Sequence, residues 1–202
     1  MLFTPAALLA IFASFVVASP ISLSERDQKI IIGYRRVSKE QAADYKKNGN
    51  TLNYNPSKST GDKQIGAGVY TSPSPGEWLM GKADDWWCVI MAESEQVHNT
   101  AAVWIPNSYY DFEKLWFADE DTLKAYIKEV DDGINPEKAF RMARMQGDEN
   151  TLQMLIPPAL LNKQGGGLGI TVTCDPDVNK LPSHQVDYEE FEPSGDKDSE
   201  TH

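Results

Sequence analysis

Three short segments carry the side chains with the most chemical potential. Residues 30–36 read Ile-Ile-Ile-Gly-Tyr-Arg-Arg, residues 66–72 read Gly-Ala-Gly-Val-Tyr-Thr-Ser, and residues 151–158 read Thr-Leu-Gln-Met-Leu-Ile-Pro-Pro. Each is a β-branched or apolar run with polar residues at one end. Arg35 offers a planar fork suited to a phosphate or to a strand-bracing contact. Tyr70, Thr71 and Ser72 place hydroxyls after a glycine turn, and such glycines admit close approach of backbone to a ligand. Gln153 brings an amide to the start of the third run. Taken singly, each segment also reads as plain structure: Arg35 and Arg36 solvating a strand end, and a turn leading into a strand.

Other chemistries find little support. The histidines are His98, His184 and His202, too few for a metal cluster and poorly placed for a serine–histidine hydrolase. No Gly-x-x-x-x-Gly-Lys phosphate loop occurs, and Gly66-Ala-Gly68 lacks the third glycine of a dinucleotide fingerprint. Cys88 and Cys174 would have to be reduced to act as nucleophiles.

The elements that must hold these residues alternate between short strands and helices. A strand is expected over 29–37, then a helix over 39–47 with Ser38 as N-cap, Gln41 three residues on as in a capping box, and Gly49 as terminator. Residues 50–65, rich in Asn, Ser, Thr and Lys, are expected to form a surface loop. Short strands are expected at 69–72, 87–92 and 101–105, with 93–100 as a turn. The apolar spacing over 111–130 predicts a helix, and Asn135-Pro136 predicts the opening of another that Gly147 closes. Strands at 152–156 and 168–174 finish an α+β domain.

In this order the three segments resemble the ADP-ribosyltransferase toxins, the family of cholera and heat-labile enterotoxin, over about residues 29–174. There a Tyr-Arg pair ends the first strand shortly before a helix, as Tyr34-Arg35 does here, and the arginine contacts the phosphate or ribose of NAD. A Gly-x-x-[Ser/Thr]-[Ser/Thr] strand braces the nicotinamide pocket, matched by Gly68 to Ser72. Tyr70 also suits a sister group whose tyrosine stacks on nicotinamide. The third motif, Glu-x-Glu or Gln-x-Glu before an apolar strand, falls on Thr151 and Gln153.

The resemblance therefore implies split sheets of short strands with interspersed helices, NAD as ligand or substrate held by Arg35, Tyr70, Thr71 and Ser72, and no metal. It also implies a catalytic position occupied by Gln153. Cleaving the nicotinamide–ribose bond builds positive charge that a carboxylate stabilises and an amide does not. Losing one such partner costs roughly 10²–10³ in rate, about 3–4 kcal/mol. Glu149 is the nearby substitute carboxylate. The resemblance points to a fungal effector-type protein, catalytically impaired, that binds NAD or an unidentified protein target of a host. The alternative is an active mono-ADP-ribosyltransferase or NAD glycohydrolase.

Composition sets the boundaries. Residues 1–19 have the layout of a secretory signal peptide, with an apolar run too short to span a bilayer followed by Ala18, Ser19 and Pro20. A secreted monomer without a membrane span is expected, its domain occupying 20–174. In that compartment the lone pair Cys88 and Cys174 is expected to bridge, with two free buried thiols as the alternative. Residues 175–202 hold nine acids against two lysines and three prolines, the composition of a disordered tail. The formal net charge of −11 argues against non-specific binding to nucleic acid or anionic membrane.

Overall fold

The computed structural model describes residues 28–56, 63–77, 81–110 and 114–198; the expected signal segment lies outside them. The first strand forms as β1 (Lys29–Val37), where the β-branched run Ile30 to Ile32 suits a pleated surface. Ser38 ends it and caps α1 (Lys39–Lys47), its hydroxyl accepting from the Gln41 N–H at 3.2 Å. The reciprocal half of the capping box is absent, because the Gln41 amide donates to the Tyr45 hydroxyl instead. Lys46 and Lys47 close the helix, where cations complement its dipole.

The remaining elements are β2 (Val69–Thr71), β3 (Trp86–Glu93), α2 (Ser94–His98), β4 (Ala102–Trp104), α3 (Glu120–Val130), β5 (Phe140–Met145), β6 (Asp148–Ile156) and β7 (Thr171–Asp175). They build an α+β fold on two sheets, one in the order β1-β3-β7 and one in the order β2-β6-β5-β4. All pairings are antiparallel except β4 with β5. The two sheets join through one bridge, Tyr34 with Ser72, whose N–H groups and carbonyls exchange bonds of 2.9 and 2.8 Å. Gly33 permits this approach: a Cβ there would lie 2.8 Å from the Thr71 Cβ.

The larger core gathers Ile32, Val89, Ile90 and Val172 from the first sheet with Met142, Met154 and Ile156 from the second, and α1 adds Ala42 and Tyr45. A second core covers the other face of the four-stranded sheet, where Leu123, Tyr126 and Ile127 of α3 pack on Val103, Ala143 and Leu155. Alternation along β6 explains the division, since Met154 and Leu155 leave opposite faces. Cys88 and Cys174 are directly paired in the β3–β7 register and joined by a disulfide.

The turn expected over 93–100 holds the short helix α2, and three larger expectations are corrected. The helix expected to run from Asn135-Pro136 to Gly147 is the strand β5. Met, Ala and Arg favour helices, but Phe140, Arg141, Met142 and Ala143 are all buried, in a strand flanked by β4 and β6 and covered on both faces. A strand buried on both faces loses the alternation that identifies it in sequence. Asn135 instead makes a turn, accepting from Glu137 N–H on its side chain and from Lys138 N–H on its carbonyl, and Gly147 serves the β5–β6 hairpin at φ 84°.

The helix expected over 111–130 begins at Glu120, capped by Asp119, which accepts from Thr122 N–H at 2.8 Å. Of the residues before it, 114–119 are not helical, and 111–113 lie outside the described residues.

The third correction concerns the tail. Residues 175–198 are packed on the body, and residues 199–202 lie outside the described residues. Leu181, Val186 and Tyr188 are buried, Phe191 packs edge-on against Phe140, and Ser194 pairs with β4. The acids stay at the surface: Asp177 and Asp187 cap the short turns Val178–Lys180 and Tyr188–Phe191. Average composition misleads here, because a few spaced apolar anchors dock a segment whose carboxylates remain hydrated.

Candidate functional site

The three chemistry-bearing segments are neighbours. β1 reaches the end of β2 through the Tyr34–Ser72 bridge, and β2 lies beside β6 with Tyr70 opposite Leu155 and Thr71 opposite Met154. That register continued by one residue sets Ser72 across from Gln153. Tyr70, Ser72, Gln153 and Leu155 thus share one face, whereas Thr71 leaves the other.

Their polar groups are bonded within the protein. The Tyr70 hydroxyl donates to the Gly66 carbonyl at 2.8 Å and accepts from Ile65 N–H at 3.0 Å, while burial pushes its phenol far up. Thr71, wholly buried, donates to the Met154 carbonyl at 3.2 Å and pairs with the Tyr188 hydroxyl at 3.1 Å. Ser72 donates to the Ser74 carbonyl at 3.0 Å. Gln153 is 2 % exposed, and its amide donates to the Arg144 carbonyl at 3.3 Å. A bulge between Arg144 and Met145 interrupts the β5–β6 ladder at this point. The same carbonyl accepts from the Gln64 amide at 2.8 Å, and Gln64 in turn accepts from Gln146 N–H. Gln153 therefore braces a hairpin irregularity.

Arg35 and Arg36 pair with Cys88 and Trp87, so they leave opposite faces of the three-stranded sheet. Arg36 stacks on the Trp87 ring at 5.0 Å, lies 3.9 Å from Asp85 and donates to the Lys82 carbonyl. Arg35 is half-buried, and its Nε meets no acceptor among the described residues. Tyr34 is buried with its hydroxyl 3.0 and 2.8 Å from the carbonyls of Pro182 and His184. The C-terminal segment thus crosses the sheet junction, fastened also by Val186 N–H on the Pro73 carbonyl. Glu149 stands in β6, but its side chain lies outside the described residues.

Sequence reasoning missed two groups that organise this region. Arg141, 2 % exposed, donates to the Ile65 carbonyl at 3.1 Å and to the Glu120 carboxylate at 2.9 Å. Glu120 also accepts from Ala67 N–H at 2.6 Å. Burial pushes the Glu120 carboxyl up, but the bonds from Arg141 and Ala67 outweigh it and hold it below the usual range. A Cβ on Gly66 would collide with both Arg141 and Glu120, so this glycine admits an internal ion pair. The second group is Tyr188, which lies over Thr71. An arginine inside an apolar run was the available signal for the first. The second had only a tyrosine among acids.

Among the described residues, no cluster of three or more His, Cys, Asp or Glu is placed to hold a metal ion, and no helix is long and apolar enough to cross a membrane. An α+β chain with a disulfide across β3 and β7 is thus the class that the geometry defines. Residues 63–196 match a family described as a family of unknown function (DUF5910), and the chain belongs to that family. The match takes in β2 to β7 and the C-terminal segment as far as 196, while β1 and Arg35 precede it. No curated protein matches the sequence.

Proposed function

We propose that this is a secreted protein of ADP-ribosyltransferase-like architecture that has lost NAD chemistry and acts by binding a partner. The adjacency of the β1 end, β2 and β6 supports the architectural reading. The observation that carries the functional one is Gln153: at the position where the resemblance expects a carboxylate stands a buried amide committed to the Arg144 carbonyl. Tyr70, Thr71 and Ser72, the residues expected to frame nicotinamide, likewise spend their hydroxyls internally. The disulfide supports an oxidising, extracellular setting.

A thermal-shift titration with NAD tests the loss of the nucleotide site. No rise in melting temperature is expected at concentrations where a binder would gain a few kcal/mol by mass action. A saturable rise abolished by Arg35→Ala would restore NAD as a ligand and overturn this part of the reading.

A further inference from the structure

The β4 edge of the four-stranded sheet is paired at one point and lacks a ladder partner beside it. β4 is one of its two edge strands. Its residues alternate: the Ala101 carbonyl and Ile105 N–H bond towards β5, whereas the Ala102 carbonyl and Trp104 N–H bond outwards to Ser194, each at 2.9 Å. The next rung of that parallel ladder would bring Glu192 to the outward N–H of Ala102. Glu192 instead turns away in the left-handed region at φ 49°, its own N–H bonded to the Glu189 carbonyl. Ala102 N–H is left without a ladder partner; the residue is 3 % exposed and is reached only from the groove it lines.

A groove of about 310 Å³ opens there, with Ala102, Ile134 and Phe191 among its lining. A second recess of about 170 Å³ shares His98, Phe191 and Glu192 with it and adds Val97 and Glu190. Three carboxylates, Asp131, Glu190 and Glu192, line the pair, and no lysine or arginine does. Asp131 accepts from Gly133 N–H; Glu190 and Glu192 enter no ion pair among the described residues.

Resting on the binding reading above, we propose that this groove docks an extended arginine- or lysine-bearing segment of a partner protein. Its main chain would add to the β4 edge at Ala102, the mode in which backbone bonds give affinity and side-chain recesses give specificity. Its cationic head would sit among the three carboxylates, with the alkyl stem on Phe191. The volume is at the low end for a ligand site, room for one or two side chains. The chain's net charge of −11 steers cationic partners and repels nucleotides.

Fluorescence anisotropy on the full secreted chain tests this, with a labelled peptide of alternating arginine and valine as probe. It should bind saturably and more weakly as salt rises, and its glutamate–valine counterpart should not bind. Glu192→Gly keeps the left-handed backbone and removes the carboxylate; combined with Glu190→Gln it should weaken binding about tenfold or more without lowering the melting temperature. Glu40→Gln, on α1, should leave peptide binding unchanged. Absence of binding, or indifference to Glu192→Gly with Glu190→Gln, would overturn the groove. Equal binding of a backbone N-methylated peptide or of spermine would overturn strand pairing and leave a site that reads charge alone. A dimer in sedimentation that the peptide dissolves would make a second copy the occupant and also overturn the proposal. NAD turnover by the protein would refute the binding reading separately, without altering any peptide result.

Discussion

Replacing Tyr188 with alanine tests whether the acidic C-terminal segment belongs to the fold. The ring is 1 % exposed, touches Phe191 edge-on at 6.0 Å between centroids, and pairs its hydroxyl with Thr71 at 3.1 Å. Removing a buried aromatic costs about 3–5 kcal/mol once the cavity is included. A domain of this size loses about 2–4 °C per kcal/mol, so a fall of about 6–20 °C is expected by calorimetry or circular dichroism. Tyr188→Phe separates packing from hydrogen bonding. Thr71 still donates to the Met154 carbonyl, so that variant should lose only about 1 kcal/mol. A Tyr188→Ala protein melting within about 2 °C of wild type would refute the reasoning and return the segment to a dispensable tail.

Arg141→Met should cost about 3 kcal/mol, the low end for breaking a buried pair, because the partner Glu120 is 38 % exposed; urea titration reads this. Since Glu120 is held below its usual range when folded, its contribution is complete above about pH 4.3, the unfolded value, and disappears as pH falls through the lower folded value. Glu120→Gln should therefore be less stable at neutral pH and show a shallower decline in acid. Gln153→Glu, nearly isosteric, should still destabilise, because it turns a carboxylate towards the Arg144 carbonyl where an N–H had donated; burial would raise the new acid's pKa, so the loss should be greater at pH 7 than at pH 4, measured by melting at both. Thiol labelling of the denatured, unreduced protein should find no free cysteine, and Cys88→Ser with Cys174→Ser should lose about 2–5 kcal/mol.

What was legible in the sequence is what local chemistry decides. The β1 strand, the Ser38 cap and the Cys88–Cys174 pair follow from β-branching, a short hydroxyl before a helical run, and an isolated cysteine pair. The opposite faces of Arg35 and Arg36 follow from strand alternation. Where tertiary packing decides, the reading failed. β5 is written in helix-forming residues and is a strand only because β4 and β6 flank it. Leu181, Val186, Tyr188 and Phe191 are diluted among acids, so their anchoring shows only once their recesses exist. Gln153 was expected at the start of a strand over 152–156; it lies within the longer strand β6, which begins at Asp148. Its commitment to the Arg144 carbonyl depends on a bulge that no residue pattern announces, and the Gly66 close approach proved to serve Arg141 and Glu120.

Nicotinamide release from labelled NAD by the purified protein, with and without a cell lysate, tests the central claim most directly. The expected result is release and label transfer no greater than with boiled protein. Robust turnover by the wild type, lost in Glu149→Ala, would contradict the claim and make the protein an enzyme with its carboxylate four residues before Gln153.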